Sequence, residues 1–354
     1  MSAPSLTPEI VLRTSPHLHS ARSVSVIMRN VVYAMLPVCA YAVYNFGISV
    51  LALLVVSTLS CVLTEHVLCR AAGRPSSIQD SSVIITGILL GLTLPPGFPL
   101  WMTAVGGFIA VGLGKMLFGG LGFNVFNPAL VGRAFLQAAF PTAITTYTPA
   151  LANGRFTEFI PTTLTLPFMQ PAVITEWIAR VRIDAFSGAT PLTALKFDKI
   201  GTDLMPLLLG NVSGSAGETS VILILLGGAY LVARNFMDWR ITTSMLMSAF
   251  LLSGVFHLAS PAAYPHPLFM LFSGGLMLGA VFMATDMVAS PVTPLGVWIY
   301  GAIMGVLTIL IRLLGGLPEG VMYAILIGNA VSPMIDNITQ PRVYGTKKKA
   351  EAKA

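Results

Sequence analysis

The sequence predicts an all-α polytopic membrane protein, with about ten transmembrane helices in two inverted five-helix repeats with interrupted helices, plus an extracytoplasmic insert. Three observations lead there. Of 354 residues, 55% are hydrophobic and only 10% charged, with a mean hydropathy of +0.81, whereas a soluble domain carries roughly 25% charged residues. Stretches such as Val31–Leu63, Ser81–Gly114 and Ile241–Phe256 hold no acidic or basic residue, so no solvated face is available to a water-soluble fold of this size. Finally, a pattern of breakers in the first half returns in the second.

Residues 1–26 are polar and mixed, and read as a cytoplasmic arm rather than a cleavable signal peptide. A first transmembrane repeat is expected over 27–140. Its apolar segments lie near 27–46, 48–69, 82–95, 100–118 and 124–140, the third stopping at Pro95-Pro96-Gly97 and the last beginning with Asn127-Pro128. Residues 141–218 are rich in Thr, Pro and Gly and carry Glu158, Glu176, Asp184, Asp198 and Asp203, so they form an extramembrane insert. A second repeat over 219–335 follows, with apolar segments near 219–234, 241–259, 267–285, 294–314 and 319–335. The basic stretch 336–354 is a cytoplasmic tail.

Lys and Arg set the orientation. With Arg13, Arg22 and Arg29 in the cytoplasm, an even number of crossings brings Arg70, Arg74, Lys115, Arg234, Arg240, Arg342 and the Lys347–Lys349 run to the same side. The turns at 95–97 and 261–267 contain neither residue, which sends the insert outward despite its own Arg155, Arg180, Arg182, Lys196 and Lys199. The net charge of +6 is therefore topological, and no nucleic-acid partner is expected.

The halves share an order of parts. Gly119-Gly120-Leu121-Gly122 and Phe126-Asn127-Pro128-Ala129 in the first correspond to Gly315-Gly316-Leu317-Pro318 and Gly328-Asn329-Ala330-Val331-Ser332-Pro333 in the second, where Ser290-Pro291-Val292-Thr293-Pro294 is the expected break. Interrupted helices expose backbone groups that are tolerable only where they line a cavity or a bound group.

Ionisable residues in or near the spans are Glu65, His66, Lys115, Arg133, His257, Asp286 and Arg312. Glu65, Lys115 and Arg312 lie near helix ends, where snorkelling accounts for them. Asp286, beside the 290–294 break, is a candidate for an ion path or for holding the interrupted helix. His257 and His266 flank a proline-rich turn and read as surface residues. Cys39, Cys61 and Cys69 lack a metal-ligand spacing and read as packing residues, so no metal site is expected.

One loop carries a sharper signal, Asp184-Ala185-Phe186-Ser187-Gly188-Ala189-Thr190-Pro191-Leu192. Gly188 permits a tight turn that would expose the Thr190 hydroxyl, and Pro191 keeps the chain from folding over it. On composition alone this is an ordinary loop. Ser187-Gly188-Ala189-Thr190 with Asp184 ahead of it resembles the flavinylation motif of the NqrB/RnfD family of membrane subunits. Agreement extends to Gly119–Gly122, Phe126–Ala129, the early Thr14-Ser15-Pro16-His17 and the closing Pro341-Arg342-Val343-Tyr344-Gly345. The short arm, the closing segment and the length are more similar to the RnfD branch than to NqrB.

The resemblance implies FMN joined through its phosphate to Thr190, with Asp184, Ser187, Gly188 and Ala189 as the signature read by a flavin transferase. It implies a bacterial inner-membrane subunit of an Rnf-type complex, with a periplasmic FMN loop. Electron flow between ferredoxin and NAD would be linked to sodium or proton movement. Partner subunits would include a second flavinylated subunit and iron-sulfur subunits. It also allows a non-covalent riboflavin between the halves, for which the sequence assigns no residues. Lacking a dinucleotide fingerprint and a cysteine cluster, the chain itself should bind neither NAD nor iron-sulfur. A secondary transporter or channel with the same repeats, or a structural scaffold, is the competing expectation, and either would be colourless.

Overall fold

The computed structural model describes residues 23–73, 80–167, 169, 177, 189–218, 220–261 and 263–341. It is an all-α polytopic membrane architecture. Five helices are long and apolar enough to cross a bilayer: α1 (Val24–Phe46), α2 (Ile48–Ala71), and, later in the chain, α7 (Trp239–Ala259), α10 (Pro294–Leu314) and α11 (Val321–Thr339). Between them lie shorter apolar helices: α3 (Ser82–Thr93), α4 (Leu100–Val111, continued by a wide turn Gly112–Met116), α5 (Pro128–Ala139), α6 (Val221–Ala233), α8 (Pro267–Phe272) and α9 (Leu276–Leu278, continued by a wide turn Gly279–Met283).

The helix ends follow local chemistry. Ser23 caps α1, Asp238 caps α7 and Thr293 caps α10, each side-chain oxygen accepting a backbone N–H of the first turn. Pro128, Pro267 and Pro294 occupy first-turn positions, where a missing N–H costs nothing. Prolines also keep α3 short, since nothing helical can pass Pro95-Pro96. Gly47, between α1 and α2, has φ 77°, and a Cβ there would collide with the Arg155 carbonyl, so only glycine lets the insert lie on this corner.

Without a hydrophobic drive inside lipid, helices associate through close packing of small residues. Gly87 of α3 lies against the Thr58 backbone of α2, and Gly305 of α10 against Ser248 and the Met245 carbonyl of α7. The early and late helices meet along one seam. Gly227 of α6 abuts the Ala34 carbonyl of α1, and Asn127, the cap of α5, donates its side-chain amide to the Met283 carbonyl (3.2 Å).

The described part of the insert is stitched to one end of the bundle. Ile48 N–H donates to the Arg155 carbonyl (2.9 Å), Leu151 N–H to Asn45 (2.8 Å) and Leu100 N–H to Thr163 (3.1 Å). The Thr162 hydroxyl donates to Gly97 (2.6 Å).

One interruption differs from the sequence expectation. The late-half apolar segment 267–285 is not one helix, because Ser273-Gly274-Gly275 breaks it between α8 and α9, with Gly274 at φ 66°. The 290–294 segment is a turn that delivers Thr293 as a cap.

Candidate functional site

Of the predicted flavinylation signature, Asp184, Ser187 and Gly188 lie outside the described residues. Ala189 and Thr190 lie within them. Thr190 caps a short helical turn, Pro191–Thr193, that runs on through Ala194–Asp198. Its hydroxyl accepts the Thr193 N–H (3.2 Å) and pairs with the Thr193 hydroxyl (2.9 Å). Thr190 is consequently only 2% exposed, which corrects the expected exposed hydroxyl. Pro191 sets the first turn, and the hydroxyl folds onto the turn it caps.

Two contacts fix this segment. The Ser213 hydroxyl donates to the Ala189 carbonyl (2.7 Å). The Lys196 ammonium donates to carbonyls at the end of α10, those of Arg312 (3.0 Å), Gly315 (2.5 Å) and Leu317 (2.9 Å), where a cation meets the negative end of the helix. Partial burial lowers the Lys196 pKa. Beside the segment lies a cleft of about 350 Å³ lined by Leu195, Lys196, Lys199, Tyr264, Pro265 and Pro318. The Lys199 amine and apolar walls suit an anionic phosphate carrying a flat ring, while the three Lys196 donors are already taken by carbonyls; Thr190 must surrender its cap bonds for its oxygen to be esterified.

Beneath the segment sits a buried charge cluster. A Cβ on Gly274 would meet Leu192, the Arg312 guanidinium and the Glu319 carboxylate, so the Thr190 segment and the cluster share this glycine. Arg312, 3% exposed, donates to the Met270 and Ser273 carbonyls (2.5 and 3.0 Å), the acceptors released where α8 breaks. Arg133 of α5 pairs with Glu319 at 2.7 Å. Glu218, 8% exposed, lies in the loop before α6 and accepts the Ser215 hydroxyl (2.5 Å). Burial, followed by the Glu319 charge, pushes the Glu218 carboxyl well above the ordinary range.

The snorkelling expected for Arg312, Lys115 and Glu65 is not what the structure holds. All three are buried, because an interior partner serves each charge. Lys115, turned inward by the wide turn after α4, donates to Glu65 (2.7 Å) and to the Ser82 hydroxyl (2.8 Å); Ser82 donates in turn to Asp80 (2.6 Å). Sequence reasoning named Arg133 and Arg312 but passed over Glu218 and Glu319. The available signal was that two guanidiniums in apolar helices require acidic partners.

A second cavity, about 100 Å³, opens at the opposite end of the bundle from the insert. Its polar lining includes Ser82, Lys115, Asn124, Asn127, Thr285 and Asp286. Asp286 accepts the Val288 N–H (3.1 Å), so it both faces the cavity and holds the turn after α9. His257 and His266 stack edge to face at 5.5 Å. The three cysteines are free, Cys61 and Cys69 buried and Cys39 partly so.

Comparison with known proteins places the chain. Residues 11–345 match the model of the NQR2, RnfD, RnfE family. The chain is 38% identical over 347 residues to the D subunit of the proton-translocating ferredoxin:NAD(+) oxidoreductase complex of Clostridium ljungdahlii, covering 95% of this chain and 96% of that one. It is 39% identical over 351 residues to the D subunit of the Na(+)-translocating ferredoxin:NAD(+) oxidoreductase complex of Acetobacterium woodii, covering 98% of each. A third relative, the D subunit of the ion-translocating oxidoreductase complex of Actinobacillus succinogenes, is 36% identical over 345 residues, 94% of this chain and 97% of its own length. The chain therefore belongs to the NQR2, RnfD, RnfE family.

Proposed function

We propose that this chain is the flavin-carrying membrane subunit of an ion-translocating oxidoreductase complex that passes electrons between ferredoxin and NAD, as the names of its relatives describe for them. FMN is joined through its phosphate to Thr190. The observation that carries this reading is the position of Thr190 on the insert, beside the Lys196/Lys199 cleft and one side chain away from the buried charges. When bound, the flavin supplies reversible one- and two-electron chemistry. The protein's own part is to hold the ring: Lys196 pins the segment to α10, Ser213 pins Ala189, and the cleft offers the Lys199 ammonium to the phosphate.

In the same reading, both termini are cytoplasmic, the insert is periplasmic in the bacterial inner membrane, and the two halves are inverted five-helix repeats. The contact of the Asn127 N–H with the Asn329 side chain supports the internal repeat, because these residues come from the segments paired between the two halves in sequence. Other membrane and peripheral subunits, including a second flavinylated one and iron-sulfur subunits, carry electrons to and from this chain, and a flavin transferase loads it. The resemblance also allows a non-covalent riboflavin between the halves, but the cavity with Asn124, Asn127 and Asp286, at about 100 Å³, is smaller than such a ring occupies.

Intact-mass measurement of the denatured chain, co-expressed with a flavin transferase, tests the assignment. Wild type should carry an FMN-sized increment that Thr190→Ala lacks. An unmodified wild type would favour a transporter or channel built from the same helices.

A further inference from the structure

The cluster under the Thr190 segment contains more than an ion pair. Among the described residues, Glu319 Oε1, Arg133 Nε, Arg312 Nε and Ser273 Oγ are buried without a hydrogen-bond partner. Ser273 is fully buried and Arg312 only 3% exposed. Orphaned buried polar atoms are costly and call for an explanation. Two of the four residues, Arg133 and Glu319, line a small cavity of about 20 Å³ together with Thr93, Ser215 and Gly275, enough for one water by the threshold of roughly 10–15 Å³.

With both carboxyls ionised, Glu319 Oε1 has no donor, because two carboxylates can only accept. A proton on Glu218 changes that at once. The two carboxyls are within bonding reach of one another, so protonated Glu218 donates to Glu319, whose other oxygen is held by Arg133.

We propose that Glu218 and Glu319 form a proton-binding site that takes up and releases one exchangeable proton through the adjoining water-sized cavity. Glu218 carboxylate plus a proton gives the acid, which donates to Glu319 Oε1; release reverses this, with no change in oxidation state. The surrounding charges select a proton over a metal cation. Arg133 comes from α5 and Arg312 from α10, with Tyr147 from the start of the insert also facing the pair, and a metal ion would sit against two guanidiniums. Glu319 keeps 18% of its side chain exposed, which leaves the pair a way to exchange with its surroundings.

The site's place in the chain gives it a role, and for that role it rests on the flavin reading above. The loop carrying Ser215 and Glu218 is the one whose Ser213 holds Ala189, and Leu192, Arg312 and Glu319 all approach Gly274. Negative charge added at Thr190 would raise the affinity of the pair for its proton, so electron arrival at the insert is matched by proton uptake below it.

Infrared difference spectroscopy of the full chain in its purified complex, titrated in pH, reads the carboxylic-acid C=O stretch directly. Wild type should show a titrating band that Glu218→Gln removes and Thr190→Ala retains, whatever becomes of the flavin. Superimposable wild-type and Glu218→Gln titrations would overturn the site, and so would a titration displaced by added sodium at constant ionic strength. Should Glu218→Gln not fold, Ser215→Ala serves instead. Losing the hydroxyl that favours the charged form must move the titration to higher pH, and an unmoved titration rejects the proposal. Failure of the flavin reading shows separately, as missing FMN mass with the band intact.

Discussion

Asn127, at the start of α5, and Asn329, in α11, touch at the seam: the Asn127 backbone N–H donates to the side-chain oxygen of Asn329 at 3.0 Å. The Asn329 amide nitrogen donates to the Ile325 carbonyl (3.2 Å) and to the Tyr300 hydroxyl (2.6 Å), the orientation that satisfies every partner. Asn127 uses its own side chain to cap Ala129 (3.1 Å) and to hold Met283 (3.2 Å). One amide thus ties α10 and α11 to the start of α5, and the other ties α5 to α9.

Asn329→Leu should destabilise the protein by about 1–3 kcal/mol, because the Asn127 N–H loses its acceptor in the interior. Thermal unfolding in detergent measures it. A double-mutant cycle with Tyr300→Phe, which removes the hydroxyl that Asn329 also holds, should give a non-zero coupling energy, whereas strictly additive losses would mean that this side-chain contact is energetically silent.

The Lys115–Glu65 pair, 2% and 0% exposed, should show the asymmetry of buried ions. Lys115→Met alone takes the compensating ammonium away from the buried Glu65 carboxylate and should cost about 3–5 kcal/mol, while Lys115→Met with Glu65→Leu should recover most of that loss. Equal losses in the single and double variants would contradict this account.

Gly274→Ala should loosen the Thr190 segment. Its φ of 66° disfavours a side chain, and the new methyl would strike Leu192. Hydrogen exchange of residues 189–198 should accelerate relative to α2, whereas unchanged exchange would show that Leu192 does not anchor the segment.

Glu218 predicts a pH dependence of known sign. Its folded pKa lies well above the unfolded value near 4.5, so its contribution is fully present below that value. It is lost as pH rises through the folded pKa, since the unfolded chain gives up its proton first. Stability should therefore fall on raising pH from about 4.5 toward neutrality, and Glu218→Gln should flatten that slope. Melting curves at constant ionic strength decide it.

The class of fold was legible because lipid imposes its demands on composition and segment length, and α1, α2, α7, α10 and α11 show both directly. Shorter elements were legible by their punctuation: Pro95-Pro96 ended α3 as read. The break at Ser273-Gly274-Gly275 was hidden inside an apolar run, where hydropathy does not distinguish a continuous helix from one whose freed carbonyls are taken up by a guanidinium arriving from Arg312. Likewise, Glu65 and Lys115 are 50 residues apart, and no local pattern reveals that they meet. Thr190 was found through its neighbours in the chain, yet its burial was not, because a capping hydroxyl and a free one look alike in sequence.

The seams between the insert and the bundle have a mechanical consequence. With Arg155 bound to Ile48, Thr163 to Leu100 and Lys196 to the end of α10, and with Ser213 holding Ala189 within the insert, the described insert is moored to the bundle at several points rather than set to swing like a ferry between distant docks. A cargo fixed at Thr190 has only the reach of its own covalent tether. Any long-range travel in the relay falls to whatever docks against this chain.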